Sequence, residues 1–121
     1  MDKTWRVGVM VTDESRREDL VKCIGTGGHC QIVVSAAAED TAVTLLREAR
    51  PELVLLWLDS PLVEAMDVGL RAVDACPYAK LWLVGDSPSE TYASLARRWG
   101  AAGYVHWQDL ETWVQDLMHR R

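Results

Sequence analysis

Short apolar runs alternate along this chain with longer stretches in which apolar residues recur every three or four positions. The runs WRVGVMV (5–11), QIVV (31–34), ELVLLWL (52–58), KLWLV (80–84) and GYVHW (103–107) are rich in Val, Leu and aromatic residues and have the length of strands. Between them, Ala42, Leu45, Leu46 and Ala49 fall at i, i+3, i+4 and i+7, as do Tyr92, Leu95, Ala96 and Trp99. Each set marks one face of a helix. Leu110, Trp113, Val114, Leu117 and Met118 repeat the pattern behind Asp109, whose carboxylate is placed to accept from the free amides of a first turn. SRREDLVKCIG (15–25) and PLVEAMDVGLRAVDAC (61–76) are less regular, but Gly or Pro bounds each and their composition is helical.

The order is therefore strand then helix, five times. Strict alternation with short connections predicts an α/β protein: a doubly wound five-stranded parallel sheet, covered on both faces by helices through right-handed crossovers. The 121 residues suffice for one domain, residues 1–121, that buries roughly two-thirds of its unfolded surface. No internal repeat, low-complexity tract or linker interrupts it.

Charge narrows the function classes. The formal net charge of −5 removes the attraction that drives non-specific binding to nucleic acid or anionic membranes, and the basic HRR end is a local exception. Cys23, Cys30 and Cys76 are odd in number and show no CxxC spacing, which suits a reducing compartment better than a disulfide framework. The apolar run in MDKTWRVGVMVTD is too short and too interrupted for a signal peptide or a membrane span, so a cytoplasmic protein is expected.

Chemistry in parallel sheets gathers outside the C-terminal ends of the strands. The sequence puts Thr12, Asp13 and Glu14 after the first strand, Trp57 and Asp59 after the third, Gly85 and Asp86 after the fourth, and His106 and Trp107 after the fifth. Carboxylates are plentiful at that rim, and cations are absent from it in this reading. No Gly-x-Gly-x-x-Gly or P-loop spacing follows the first strand, and GTGG (25–28) reads as a helix end and turn. Ser15, Ser35, Ser60 and Ser87 lack a G-x-S-x-G elbow, so no enzyme and no cofactor is indicated. His106 reads as a surface or hydrogen-bonded residue, and the cysteines as inert small residues.

Taken together, RVGVMVTDES, PELVLLWLDSP and GAAGYVHW resemble the receiver domains of two-component response regulators over the whole chain. The resemblance implies the CheY-like variety of the flavodoxin fold, with strand order 2-1-3-4-5. It also implies where the phosphorylation site should lie. A phosphoacceptor aspartate would end the third strand four residues before a proline; counting back from Pro61 gives Trp57. The hydroxyl residue ending the fourth strand falls on Gly85, and the lysine ending the fifth falls on Trp107. Of the acidic pair, Thr12 and Asp13 match best, with Val11 and Thr12 as another register. Thr12, Asp13, Trp57, Asp59, Gly85 and Trp107 thus outline a degenerate phosphorylation pocket.

Acyl-phosphate formation needs a carboxylate nucleophile and a divalent cation held by other carboxylates. Indole supplies neither. The resemblance therefore implies a pseudo-receiver in which Trp57 plugs the pocket and its ring meets Trp107, although strand parity also allows Trp57 to face the core. Asp59 as a relocated phosphoacceptor is a separate reading. So is a residual cation site from Asp13, Asp59 and Asp86. A further one is a small-molecule sensor that admits an aromatic ligand among Trp57, Trp82 and Trp107. In receivers the fourth helix, fifth strand and fifth helix form the dimerisation or output face, with a switch aromatic at the position of Tyr104. Trp99, Tyr104 and Trp113 are accordingly the candidate partner-binding residues, for a homodimer or an output domain. No direct nucleic-acid or membrane contact is expected.

Overall fold

A computed structural model describes residues 4–25, 28–58 and 62–119. Five strands, β1 (Trp5–Met10), β2 (Cys30–Ala36), β3 (Leu53–Trp57), β4 (Lys80–Gly85) and β5 (Gly103–His106), alternate with helices α1 (Glu14–Gly25), α2 (Asp40–Ala49), α3 (Leu62–Ala75), α4 (Ser89–Arg98) and α5 (Leu110–His119). The strands form one parallel sheet in the order β2-β1-β3-β4-β5. Both the sheet and its order match the expectation.

Side-chain alternation splits the core into two layers. Val7, Val9, Leu53, Leu55 and Trp57 pack with Leu20 and Ile24 of α1 and with Leu110, Trp113 and Val114 of α5. Met10, Val54, Leu56, Leu81 and Leu83 pack on the other face with Leu46 of α2, Val68 and Ala72 of α3 and Ala96 of α4. Every residue of β3 is buried, as the central strand of a doubly covered sheet requires. Arg71 of α3 ion-pairs with Asp40 of α2 and, at 3.1 Å, with Asp67 one turn back on its own helix.

Three local expectations need correction. In α2 the buried stripe is Ala42, Val43 and Leu46, whereas Leu45 is 40% exposed. The i, i+3, i+4 pattern marks a stripe without fixing its rotation, and packing against the core layer of α2, α3 and α4 buries Val43 in place of Leu45. Trp107 does not extend β5; it opens a 3-10 turn (Trp107–Asp109) that leads into α5. The cap at this junction is His106, whose Nδ1 accepts from the Gln108 amide at 3.1 Å, and Asp109 closes the turn. Of GTGG, Thr26 and Gly27 lie outside the described residues; Gly28 has φ 72°, a conformation that favours glycine, and its N–H donates to the Gly25 carbonyl at 3.2 Å.

Candidate functional site

The C-terminal ends of β1, β3, β4 and β5 bring Thr12, Asp13, Trp57, Gly85, Asp86 and Trp107 to one rim. Asp59 lies outside the described residues. Thr12 and Asp13 are exposed, and both are engaged in local structure. The Thr12 hydroxyl accepts from the Ala38 amide at 3.3 Å, tying the β1–α1 loop to the β2–α2 loop. Asp13 Oδ1 accepts from the Arg16 amide at 3.0 Å. This is an N-cap: the carboxylate satisfies a first-turn donor of α1 and sits favourably on the helix dipole. Asp13 thus starts a helix.

Trp57 ends β3 opposite Val84 and is 4% exposed. It follows Leu53 and Leu55 on the α1/α5 face, so it belongs to the core and also lines the rim. Its ring is covered by the guanidinium of Arg16, whose Cζ lies 5.0 Å from the ring centroid. Arg16 also reaches Asp86, with Nη2 3.6 Å from Oδ2. A cation therefore does occupy the rim, contrary to the sequence reading. It arrives from the first turn of α1 and not from a strand end. The arrangement is a cation–π contact, worth roughly 0.5–2 kcal/mol depending on its desolvation.

Trp107 lines the same cleft as Trp57 but is 40% exposed, and no ring contact joins the two indoles. The expected indole pair is replaced by Arg16 on Trp57. The cleft holds about 380 Å³ between α1, the end of β3 and the 3-10 turn. Trp82 is not part of it: its ring packs edge-on against Trp113 at 5.3 Å and 67°. The suggested pocket among Trp57, Trp82 and Trp107 is therefore not formed.

Gly85 has a defined steric role. A Cβ built there would lie 2.9 Å from the Tyr104 Oη and 3.3 Å from its Cε2. Tyr104 thus occupies space that a hydroxyl side chain at position 85 would need. Its ring packs on Tyr92 at 5.2 Å, and its hydroxyl donates to the Ser87 carbonyl at 2.7 Å. Burial pushes the phenol above its ordinary range, and the nearby Asp86 carboxylate acts in the same direction. His106 completes the rim, with Nε2 3.2 Å from the Asp86 carbonyl while Nδ1 caps the 3-10 turn.

The partner-binding candidates separate by burial. Trp113 is 8% exposed and packed in the α1/α5 layer, so it offers no surface. Tyr104 is also buried and can act on a partner only through the shape of the face above it. Trp99 is half-buried against the opposite layer and keeps part of its ring in solvent. Burial raises the Cys23, Cys30 and Cys76 thiols above their usual range, so none is an activated thiolate. Among the described residues no three His, Cys, Asp or Glu side chains gather as a metal site. Of the suggested cation ligands, Asp86 faces Arg16 and Asp13 caps α1.

No protein-family model and no curated protein matches the chain. Solved structures do. The signal receiver domain of the response regulator NarL from Mycobacterium tuberculosis superposes with a TM-score of 0.77 at 22% identity, covering 98% of this chain and 99% of that one. A LuxR-family two-component response regulator from Aurantimonas gives 0.79 at 21%, covering 98% and 88%. A CheY-like receiver domain protein from Methanospirillum hungatei gives 0.73 at 16%, covering 98% and 96%. The chain has the receiver-domain fold. Against that fold, its rim carries an indole over a guanidinium, a glycine under a phenol and a second indole in solvent.

Proposed function

We infer that this is a receiver-type signalling domain that works through protein contacts without aspartyl phosphorylation. The observation that carries the reading is Trp57, buried at the end of the central strand with Arg16 across its face. Aspartyl chemistry there would require a nucleophile and a bound divalent cation, and the guanidinium disfavours a second cation by like charge. Gly85 and Tyr104 support the same reading. With no side chain at position 85, the inward tyrosine is held by a hydrogen bond and a ring contact, so the α4–β5–α5 face keeps one shape. A partner, an output domain or a second copy would read that fixed face, with Trp99 as its available aromatic anchor. The cytoplasm remains the expected compartment; among the described residues, no helix is long and apolar enough to cross a membrane.

Incubation with Mg²⁺ and acetyl phosphate is expected to leave the intact mass unchanged. A one-phosphoryl adduct that vanishes in Asp59→Ala would replace this reading with that of a receiver phosphorylated at Asp59. The open cleft beside Trp107 favours a second reading, a small-molecule sensor, which the next section takes up.

A further inference from the structure

We propose that the cleft between α1 and the 3-10 turn binds a small planar organic cation. It lies outside the C-terminal strand ends, where parallel α/β sheets hold ligands, and its volume of about 380 Å³ falls within the range of small-molecule pockets. The floor is apolar, from the buried Leu20 and Leu110. One wall is the Trp107 indole, 40% exposed although every other described tryptophan is at least partly buried. Its backbone is held in place, because His106 caps the turn through Gln108 and also contacts the Asp86 carbonyl. An exposed aromatic on a fixed backbone is preorganised for stacking.

The opposite wall decides the charge of the ligand. Arg16, Asp19, Leu20 and Cys23 follow the i, i+3, i+4, i+7 stripe of α1 and so face the cleft together. Arg16 is committed to the Trp57 ring and to Asp86. Asp13 and Asp19 also line the cleft, and neither carboxylate forms an ion pair among the described residues. Two carboxylates and one guanidinium line the cleft, and that guanidinium is already paired with Asp86, which leaves the site negative. An anionic ligand would be repelled. A planar cation would gain a cation–π and stacking contact from Trp107 and a charge-assisted contact from Asp19. The proposal rests on the reading that the rim has lost its aspartyl chemistry.

The test is calorimetric titration of the intact chain with N-methylpyridinium, N-methylquinolinium and N-methylacridinium, with acridine-9-carboxylate as the anionic control. Saturable one-site binding by at least one of the three cations is expected, with the carboxylate about tenfold weaker or silent. Trp107→Ala should weaken the best cation by about tenfold, and Asp19→Asn by about fivefold. Should either variant fail to fold, the indole N–H resonance of Trp107 in the unaltered chain provides the readout and should shift with saturation. Absence of saturable binding by all three up to about 1 mM, equal binding of the carboxylate, or an unmoved Trp107 resonance would overturn the proposal. A phosphoryl adduct in the acetyl phosphate experiment would instead strike the functional reading beneath it, so the two failures are distinguishable.

Discussion

Trp57→Asp is expected to destabilise the domain by about 3–5 kcal/mol and to leave it unphosphorylated. The indole is 4% exposed in the layer formed with Leu20, Leu55 and Leu110, so its removal forfeits packing on several sides. The new carboxylate would be desolvated, a cost partly offset because Arg16 already lies over this position and would pair with it. That pairing is also why the substitution should not restore chemistry. The carboxylate would face a guanidinium where a receiver-type site needs a metal ion, and Gly85 and Trp107 would still supply neither hydroxyl nor ammonium. For a domain of ordinary stability, about 5–15 kcal/mol, the loss is a large share of the total. Urea unfolding reads it directly, with Trp57→Phe, which retains an apolar ring, expected to lose clearly less. Equal midpoints for the aspartate variant and the unaltered chain would mean that Trp57 is not a core residue.

Gly85→Thr is the second substitution with a large expected effect. A β-branched residue suits a strand, so the change is intrinsically favourable for β4, and any loss is steric in origin. With Cβ 2.9 Å from Tyr104 Oη, the ring cannot keep its place. It would lose the 2.7 Å hydrogen bond to the Ser87 carbonyl and the contact with Tyr92. Overpacking of this kind costs about 1–3 kcal/mol. Nitration by tetranitromethane, mapped by peptide mass, should mark Tyr104 faster in the variant than in the unaltered chain. Unchanged nitration and stability would show that the ring adapts in place, and that Gly85 does not fix the face. A double-mutant cycle with Tyr104→Phe should show coupling, since removing the hydroxyl relieves the shortest contact.

The fold was legible because its signal is carried by long apolar runs. ELVLLWL is apolar at nearly every position, as a strand covered on both faces must be, and strand–helix alternation then leaves few topologies. The last strand was read one residue too long. GYVHW has no internal mark that its final indole has left the ladder, and the His106 cap became visible only once the 3-10 turn was seen. Leu45 and Val43 were exchanged for a similar reason: a helix face is a stripe, and its rotation is set by neighbours.

The strand-end residues of the rim were legible in the sequence, and their partners were not. Counting from Pro61 placed an indole at the end of β3. Its partner could not be counted, because Arg16 reaches the rim from within a helix and competes for the ring face expected to meet Trp107. A basic residue one turn inside α1, on the stripe shared with Leu20, was the available signal. Nothing in the sequence linked Gly85 to Tyr104. Their contact depends on the register of β4 against β5, which sets Gly85 opposite His106 and turns Tyr104 inward two residues earlier.

The central claim is that this receiver-type domain does not respond to an acyl-phosphate state. Beryllofluoride with Mg²⁺ mimics that state without any phosphotransfer, so the most direct measurement is a two-dimensional ¹⁵N–¹H NMR titration of the intact chain with both. The backbone amides of Thr12, Asp13, Gly85 and Tyr104 and the indole N–H groups of Trp57 and Trp107 are predicted to stay where they are. Saturable shifts at these positions that require both Mg²⁺ and beryllofluoride, and that disappear in Asp59→Ala, would contradict the account.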